Sequence, residues 1–201
     1  MLRFENLGDL INPDLDPDKI AIIDLGTGRA REFTYRQMET LATGVARALS
    51  ARKLARGDRV AILSANRAEF IATMFGIMRA GFVAVPVNFK FPRETIDFII
   101  RDSGAKLVFC DPERRGDCPP DLPAVEFGNE FDAFVRKGPF TTIVPQPHEP
   151  AMFLYTSGST GVPKGVVLSH QSHLWVVKTR LNADLARHRY LIAAPLYHMN
   201  A

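Results

Sequence analysis

The chain has 201 residues, of which 46% are hydrophobic and 23% are charged, enough for a buried core in one large or two small domains. Its net charge of +3, from 25 basic and 22 acidic residues, argues against a nucleic-acid-binding domain. No apolar run reaches the roughly 18 residues that a membrane span needs, and the polar segment after Met1 does not resemble a signal peptide. We therefore expect a cytoplasmic protein.

The first predicted elements are a hairpin and a helix. Residues 20–33 are typical of two strands joined by a turn at Gly26-Thr27-Gly28. Thr34 and Gln37 have the spacing of a capping box at the start of a helix. A second helix is predicted to begin at Asn66, with Glu69 completing its cap, and to end near residue 79.

Strand and helix alternate from residue 58 to residue 110, with short connections between them. The strands are apolar on both faces, as in parallel sheets that are covered by helices on both sides. We therefore predict an α/β fold with a doubly wound, mostly parallel sheet. Buried strands are expected at 60–63, 82–85 and 107–110, and a helix from Pro92 to about residue 103.

Residues 111–150 contain eight prolines and are interpreted as a connection with one short helix near 130–136. Beyond it we predict strands at 151–155, 165–168 and 190–194, and a helix from Ser169 to about residue 184. Trp175 and Val176 on that helix are expected in the core. The chain is thus divided into a first run (1–110), a proline-rich connection (111–150) and a last segment (151–201).

One pair of cysteines and one pair of histidines are candidates for a disulfide or a metal site. Cys110 and Cys118 lack the CxxC spacing of a zinc ribbon. Their spacing allows a disulfide, but nothing marks the chain as secreted, so we predict free thiols. His170 and His173 lie three apart on a predicted helix without a third ligand, so we predict a helix face near the loop described next, and no metal site.

Residues 155–165 read Tyr-Thr-Ser-Gly-Ser-Thr-Gly-Val-Pro-Lys-Gly. Glycines let backbone N–H groups converge on an anion, hydroxyls add neutral donors, and a lysine adds positive charge. A flexible surface loop has a similar composition, and neither the Walker nor the Rossmann pattern is present. The candidate phosphate-binding residues are Thr156, Ser157, Gly158, Ser159, Thr160, Gly161 and Lys164.

The order of residues in 155–165 closely resembles the signature of the adenylate-forming superfamily. That superfamily contains acyl-CoA synthetases, luciferases and the adenylation domains of peptide synthetases. Residues 78–86 (Met-Arg-Ala-Gly-Phe-Val-Ala-Val-Pro) are similar to an earlier helix-to-strand motif of the same superfamily. Residues 195–198 (Pro-Leu-Tyr-His) are similar to the start of its next motif. The implied fold is the N-terminal part of the acyl-CoA synthetase large domain.

This resemblance implies a two-step reaction that uses ATP, Mg²⁺ and coenzyme A. A fatty or aromatic carboxylic acid would attack the α-phosphate of ATP to give an acyl-adenylate and pyrophosphate, and a thiol would then displace AMP. The loop 156–164 would hold the β- and γ-phosphates, with Lys164 as a phosphate ligand and not the family's catalytic lysine. His198 is the candidate catalytic residue and would border the acyl pocket and the thiol channel, the alternative being a partly buried structural histidine.

Several functional segments of the superfamily are not found in these 201 residues. They are the C-terminal domain with the catalytic lysine, the Tyr-Gly-x-Thr-Glu segment, the ribose-binding aspartate and the interdomain hinge. The resemblance therefore implies an N-terminal fragment of an acyl-CoA synthetase that is inactive by itself. Two alternatives stay open: an adenylation domain that loads a carrier protein, and an inactive nucleotide-binding remnant.

Overall fold

A computed structural model of the protein describes residues 4–11, 14–26, 28–156, 161–180 and 188–198. Strands β1 (Ile20–Asp24) and β2 (Arg31–Thr34) pair in an antiparallel hairpin, which confirms the prediction for residues 20–33. Gly28 in its turn has a φ of 83°, a conformation that side chains with a Cβ rarely adopt. No helix in the described ranges is long and apolar enough to cross a membrane.

The larger sheet has six strands in the order β6-β5-β3-β4-β7-β8. All of its neighbouring pairs are parallel except β7 and β8, which are antiparallel. This confirms the mostly parallel sheet. The strands are β3 (Arg59–Leu63), β4 (Val83–Val87), β5 (Ala105–Cys110), β6 (Ala124–Glu126), β7 (Pro150–Thr156) and β8 (Lys164–Ser169).

Helices cover both faces of the sheet. Because successive strand residues point to opposite faces, Val60 and Ile62 of β3 pack in one apolar cluster, whereas Ala61 and Leu63 pack in another. The helices are α1 (Tyr35–Ser50), α2 (Ala68–Arg79), α3 (Arg93–Asp102), α4 (Asn129–Phe134) and α5 (His170–Arg180), with 3-10 helices at Leu7–Asp9 and Pro112–Asp117. The first cluster includes residues of α1, α2 and α4, and the second includes residues of α3.

Local capping is confirmed for α1 and corrected for α2. The Thr34 hydroxyl accepts the Gln37 N–H at 3.2 Å, and the Gln37 side chain accepts the Thr34 N–H at 2.8 Å. Asn66 does not cap α2, since its side chain bonds to residues 194 and 196. A carboxylate of Asp24 on β1 accepts the Ala68 N–H instead, at 3.1 Å.

The predicted strand boundaries need three corrections. Strand β4 continues through Pro86 to Val87, beyond the predicted end. The proline-rich connection contains β6, which pairs with β5 and was not predicted. Residues 190–194 form no strand, because their backbone has no neighbouring strand among the described residues and Asn66 takes up the carbonyl of Ala194.

The prediction for helix α5 is confirmed in part. Ser169 accepts the Ser172 N–H at 3.2 Å and so caps the helix as expected. The helix is described as far as Arg180, and the predicted continuation to residue 184 lies outside the described residues. Trp175 was predicted in the core but is 67% exposed, because it points away from the one face of α5 that packs on the protein.

Candidate functional site

The sequence motifs converge on one edge of the large sheet. Strands β3, β4, β5 and β7 run parallel, with Ala84 opposite Met152, so their carboxyl ends share an edge. The loop 157–163 follows the carboxyl end of β7. Ligands of open parallel α/β sheets bind outside this edge. Thr156 and Lys164, which flank the predicted phosphate loop, therefore lie at the edge where such sheets bind their ligands.

The two ends of the loop meet across the β7–β8 hairpin. Thr156 lies opposite Lys164 in the register, so their side chains share one face of the hairpin. Both residues are exposed, and no described residue forms an ion pair or hydrogen bond with the Lys164 ammonium. Gly161 has a φ of 80° and open space where a Cβ would stand. Ser157, Gly158, Ser159 and Thr160 lie outside the described residues.

These features suit an anion with several oxygens. A cationic side chain and a hydroxyl stand side by side and face solvent, next to a glycine whose backbone is open to close approach. The described residues hold no group of three His, Cys, Asp or Glu side chains that could bind a metal ion.

The loop end of the hairpin is tied to the body of the protein by Tyr155. Its hydroxyl donates to the Asp102 carboxylate at the end of α3, at 2.6 Å. Burial and this hydrogen bond raise the pKa of the Tyr155 phenol. A Cβ at Gly165 would lie 3.0 Å from the Tyr155 ring, so glycine gives the ring its room. Sequence reasoning missed Asp102, because no local pattern links it to a tyrosine 53 residues away.

The Pro-Leu-Tyr-His segment is anchored at the same edge. Asn66, just after β3, donates to the Ala194 carbonyl at 2.9 Å and accepts the Leu196 N–H at 2.8 Å. The Tyr197 ring packs edge-on against Phe89, which follows β4, with ring centroids 5.8 Å apart. His198 is exposed. No contact in the described part of the chain joins His198 to Lys164, so the two predicted site residues share an edge without touching.

A buried ionic network supports this edge from below. Arg67 donates to Asp111, at the end of β5, at 2.9 Å and to Glu69 at 3.0 Å. Burial alone would raise the pKa of Glu69, but hydrogen bonds from Arg31 and Arg67 outweigh it and lower this pKa to about 2. Glu69 was predicted as part of a helix cap and serves instead as the centre of this network, which fixes the residues that follow β3.

The two histidines of α5 have structural surroundings. His170 is buried, and its Nδ1 accepts the Leu7 N–H at 3.1 Å, which joins α5 to the N-terminal 3-10 helix. Burial lowers the pKa of His170 to about 4, although Glu149 pulls in the opposite direction. His173 is half-buried, and burial lowers its pKa as well. These two residues therefore lie on a packed helix face, as predicted.

The fold is an open, mostly parallel α/β sheet in which a glycine- and hydroxyl-rich segment of the sequence follows a strand at the carboxyl edge, where such sheets bind ligands. The sequence profile of the AMP-binding enzymes matches residues 12–201. The chain therefore belongs to the AMP-binding enzyme family, which is the adenylate-forming superfamily recognised from residues 155–165.

Individual relatives are acid–thiol ligases. The chain is 37% identical over 153 residues to the fatty acid–[acyl-carrier-protein] ligase ScoC of Streptomyces coeruleorubidus, covering 71% of this chain and 29% of ScoC. It is 33% identical over 200 residues to the long-chain-fatty-acid–CoA ligase FadD13 of Mycobacterium tuberculosis, covering 84% and 36%. It is 33% identical over 196 residues to a feruloyl-CoA synthase of an Amycolatopsis species, covering 93% and 38%.

Solved structures agree with this assignment. ATP-bound MatB from Rhodopseudomonas palustris superimposes with a TM-score of 0.73 at 30% identity, over 87% of this chain and 37% of MatB. AMP-bound O-succinylbenzoate coenzyme A synthetase (MenE) from Bacillus subtilis gives 0.75 at 27% identity, over 92% and 48%. The chain thus spans about a third to a half of these relatives and corresponds to the N-terminal portion of the superfamily's enzymes.

Proposed function

We propose that this chain is the ATP-phosphate-binding part of an AMP-forming acid–thiol ligase. The observation that carries the proposal is the pairing of Thr156 with Lys164 at the root of the loop 157–163, on the carboxyl edge of the sheet. In the first half-reaction a substrate carboxylate oxygen bonds to the α-phosphorus of ATP, and the bond from that phosphorus to pyrophosphate breaks. In the second, a thiol sulfur bonds to the acyl carbon, and AMP leaves.

The loop residues act by positioning and by neutralising charge. Because β7 and β8 hold their backbones in register, Thr156 and Lys164 present a hydroxyl and an ammonium to the same anion without having to be ordered by it. Gly161 lets a phosphate oxygen approach the backbone closely. Ser157, Gly158, Ser159 and Thr160 are proposed as further donors on sequence alone. Magnesium ion bound to the same phosphates would supply additional charge neutralisation.

His198 is proposed to border the acyl pocket and the thiol channel. Its exposure beside the anchored Tyr197 leaves the imidazole free to meet a ligand at the carboxyl edge. We propose His198 as the catalytic residue of this part of the chain, at the place where the acyl group and the thiol meet.

One relative supports a carrier protein as an alternative acceptor of the acyl group. ScoC, at 37% identity, is a ligase for an acyl carrier protein, whereas FadD13 and the feruloyl-CoA synthase form CoA thioesters. Coenzyme A remains the acceptor that we propose, and a carrier protein is the alternative. The acid is proposed to be fatty or aromatic. The cytoplasmic location expected from the sequence remains a prediction.

The 201 residues by themselves are proposed to be inactive. They span 36% of FadD13 and 37% of MatB, so residues that those proteins place further along have no counterpart in this chain. We also propose that 1–110, 111–150 and 151–201 are parts of one incomplete AMP-binding domain. The alternative of an inactive nucleotide-binding remnant would apply if no longer form of the chain were active.

The test is exchange of labelled pyrophosphate into ATP, measured with fatty and aromatic acids. The enzyme form is a chimera in which the C-terminal remainder of MatB follows residue 201, and the control is the 201-residue chain alone. We expect acid-dependent exchange by the chimera and none by the chain. Transfer of the product to coenzyme A or to a phosphopantetheinyl carrier protein then distinguishes the acceptors. Exchange that did not depend on an acid would contradict the proposal.

A further inference from the structure

The two cysteines of the chain lie together below the surface. Cys110 ends β5, and Cys118 follows the 3-10 helix Pro112–Asp117. Both thiols are free, and both belong to the same apolar cluster, where they are close enough to shift each other's pKa. The intervening 3-10 helix thus folds the chain back so that residues eight apart in sequence pack in one cluster.

The two thiols differ in access. Cys110 is completely buried, and its carbonyl accepts the Phe127 N–H at 2.8 Å, so this residue is fixed in the sheet. Cys118 is 7% exposed, and its thiol donates weakly to the Arg114 carbonyl at 3.6 Å. A reagent from solvent therefore reaches Cys118 before it reaches Cys110.

The thiols also differ in reactivity. The adjacent Cys110 thiol lowers the pKa of Cys118; burial opposes this effect, and the charge of Arg115 adds to it. The adjacent Cys118 thiol and burial raise the pKa of Cys110. The more accessible sulfur is therefore the better thiolate, and the thiolate is the form that attacks disulfides.

The segment between the cysteines has room to adjust. A disulfide needs its sulfur atoms about 2.05 Å apart, so one cysteine must move toward the other. None of the residues of the 3-10 helix Pro112–Asp117 is fully buried, and ion pairs such as Arg114–Asp117 hold this segment where core packing holds β5. It also neighbours the candidate functional site, because the Arg114 guanidinium lies 5.7 Å from the Phe89 ring that packs against Tyr197.

We propose that Cys118 and Cys110 form a dithiol modification site that reacts with small-molecule disulfides such as oxidised glutathione. The Cys118 thiolate attacks one sulfur of the small disulfide, which breaks its S–S bond, releases one thiolate and leaves a mixed disulfide on Cys118. Cys110 then loses its proton to solvent and attacks the Cys118 sulfur, forming the Cys110–Cys118 bond and releasing the second small thiol. One small disulfide is reduced to two thiols as the pair is oxidised.

The test incubates the folded chain with oxidised glutathione, followed by alkylation of remaining thiols, mass spectrometry and peptide mapping. The wild-type chain is expected to lose the mass of two hydrogen atoms through a bond between residues 110 and 118. Cys110→Ala should accumulate one stable glutathione adduct on Cys118. In Cys118→Ala the buried Cys110 should be modified at least about tenfold more slowly. Circular dichroism checks that both variants are folded.

Three results would overturn the proposal. The first is a wild-type chain that keeps both thiols under fully oxidising conditions. The second is a wild-type chain that accumulates glutathione adducts without an internal disulfide. The third is modification of Cys110 in Cys118→Ala at the rate found for Cys118 in Cys110→Ala. The first two results are read from the wild-type chain and do not depend on the folding of either variant.

Discussion

Residues 59–110 and residues 150–198 both contain strands and helical segments, but the strands of the two regions differ greatly in how deeply they are buried. Every residue of β4 is buried, between parallel neighbours and beneath helices. The first four residues of β8 are exposed, and within the described part of the chain this strand pairs only with β7. Strand β4 is held by packing on two faces and two edges, whereas β8 is held by one ladder of hydrogen bonds.

The difference separates a buried frame, residues 59–110, from the exposed β7–β8 hairpin, the proposed ligand-facing part. The frame positions the carboxyl edge of the sheet. The hairpin exposes Thr156 and Lys164 at that edge, and packed neighbours there would block a ligand. Exposed apolar residues lie in the hairpin: Val166 is 44% exposed and Val167 is 57% exposed. Apolar surface of this kind marks a region that contacts something else. Segments that bind ligands come from the less stable parts of a fold.

The largest expected effect is on the frame. Phe109 is completely buried and contacts the rings of Phe127, Phe131 and Phe134 at centroid distances of 6.1, 6.1 and 5.1 Å. Phe109→Ala should lower the free energy of unfolding by about 3–5 kcal/mol, because it removes transfer energy and leaves a cavity. Trp175→Ala, at a residue 67% exposed, should change it by less than about 0.5 kcal/mol.

Urea denaturation followed by far-UV circular dichroism measures both variants, since Trp175 is the only tryptophan in the chain and its fluorescence would be lost. Equal losses in the two variants would contradict the proposed division, because the exposed helix would then contribute as much packing as the frame does.

The sequence predicted the frame better than it predicted the hairpin. Alternating apolar strands and helices indicated β3, β4 and β5, because a fully buried strand has an unambiguous pattern. Residues 151–194 were predicted to contribute mostly parallel strands, but β8 pairs antiparallel with β7. The seven residues 157–163 are too few for a parallel crossover, which needs about a dozen, so loop length could have shown that β7 and β8 are antiparallel.

Contacts between distant residues account for the other errors. Asn66 was assigned as a cap from Glu69 three residues later, but it bonds to residues 194 and 196, which local spacing cannot reveal. The three-residue strand β6 was hidden among prolines, because its pairing depends on β5. The loop composition and order identified the candidate site, whereas the Tyr155–Asp102 contact that supports it required the fold.

The second prediction concerns the ligand-facing part. In the complete enzyme or the MatB chimera, Lys164→Ala should slow adenylation by about 10²–10³-fold, because one preorganised charge is lost at the departing pyrophosphate. Thioester formation from a supplied acyl-adenylate should stay nearly normal, since the pyrophosphate has already left. Single-turnover kinetics of each half-reaction measure the two rates.

Lys178→Ala is the matched control, because it removes a lysine from the exposed side of α5 at no predicted site. It should leave both half-reactions unchanged. If Lys164→Ala slowed both half-reactions equally, the phosphate role would be wrong and a role in folding or docking would replace it.

The third prediction concerns the junction of the two regions, where His170 of α5 bonds to the N-terminal 3-10 helix. Burial lowers the pKa of His170 to about 4, below the ordinary value of 6.5. Between pH 6.5 and about pH 4, His170 is therefore protonated in the unfolded chain but stays neutral in the folded chain. Stability should fall from pH 6.5 to about pH 4, by up to about 3 kcal/mol.

Urea denaturation across this pH range measures the slope. His170→Asn keeps an acceptor for the Leu7 N–H but does not titrate, so its stability should depend less on pH in this interval. Glu69, with a pKa of about 2, lowers the stability of both proteins as the pH falls below 4.5. Its effect therefore cancels in the comparison. Parallel pH curves for wild type and variant would show that His170 is not the titrating group.

The smallest effect is expected at the tie between hairpin and frame. Tyr155→Phe removes the 2.6 Å hydrogen bond to Asp102 and keeps the ring that fills the space beside Gly165. At this partly exposed position the loss should be about 1 kcal/mol. Because the bond joins only the hairpin to the frame, it should appear as local opening, with amides of β7 and β8 exchanging about fivefold faster. Amides of β3 should not change.

Asp102→Asn provides the partner for a double-mutant cycle. If the two side chains act through their mutual bond, the double variant should open no more easily than the worse single variant. Additive effects would mean that each residue acts through other contacts. A rise in exchange that spread into β3 would show that Tyr155 supports the whole frame, so the hairpin and the frame would then unfold as one unit and the division between them would fail.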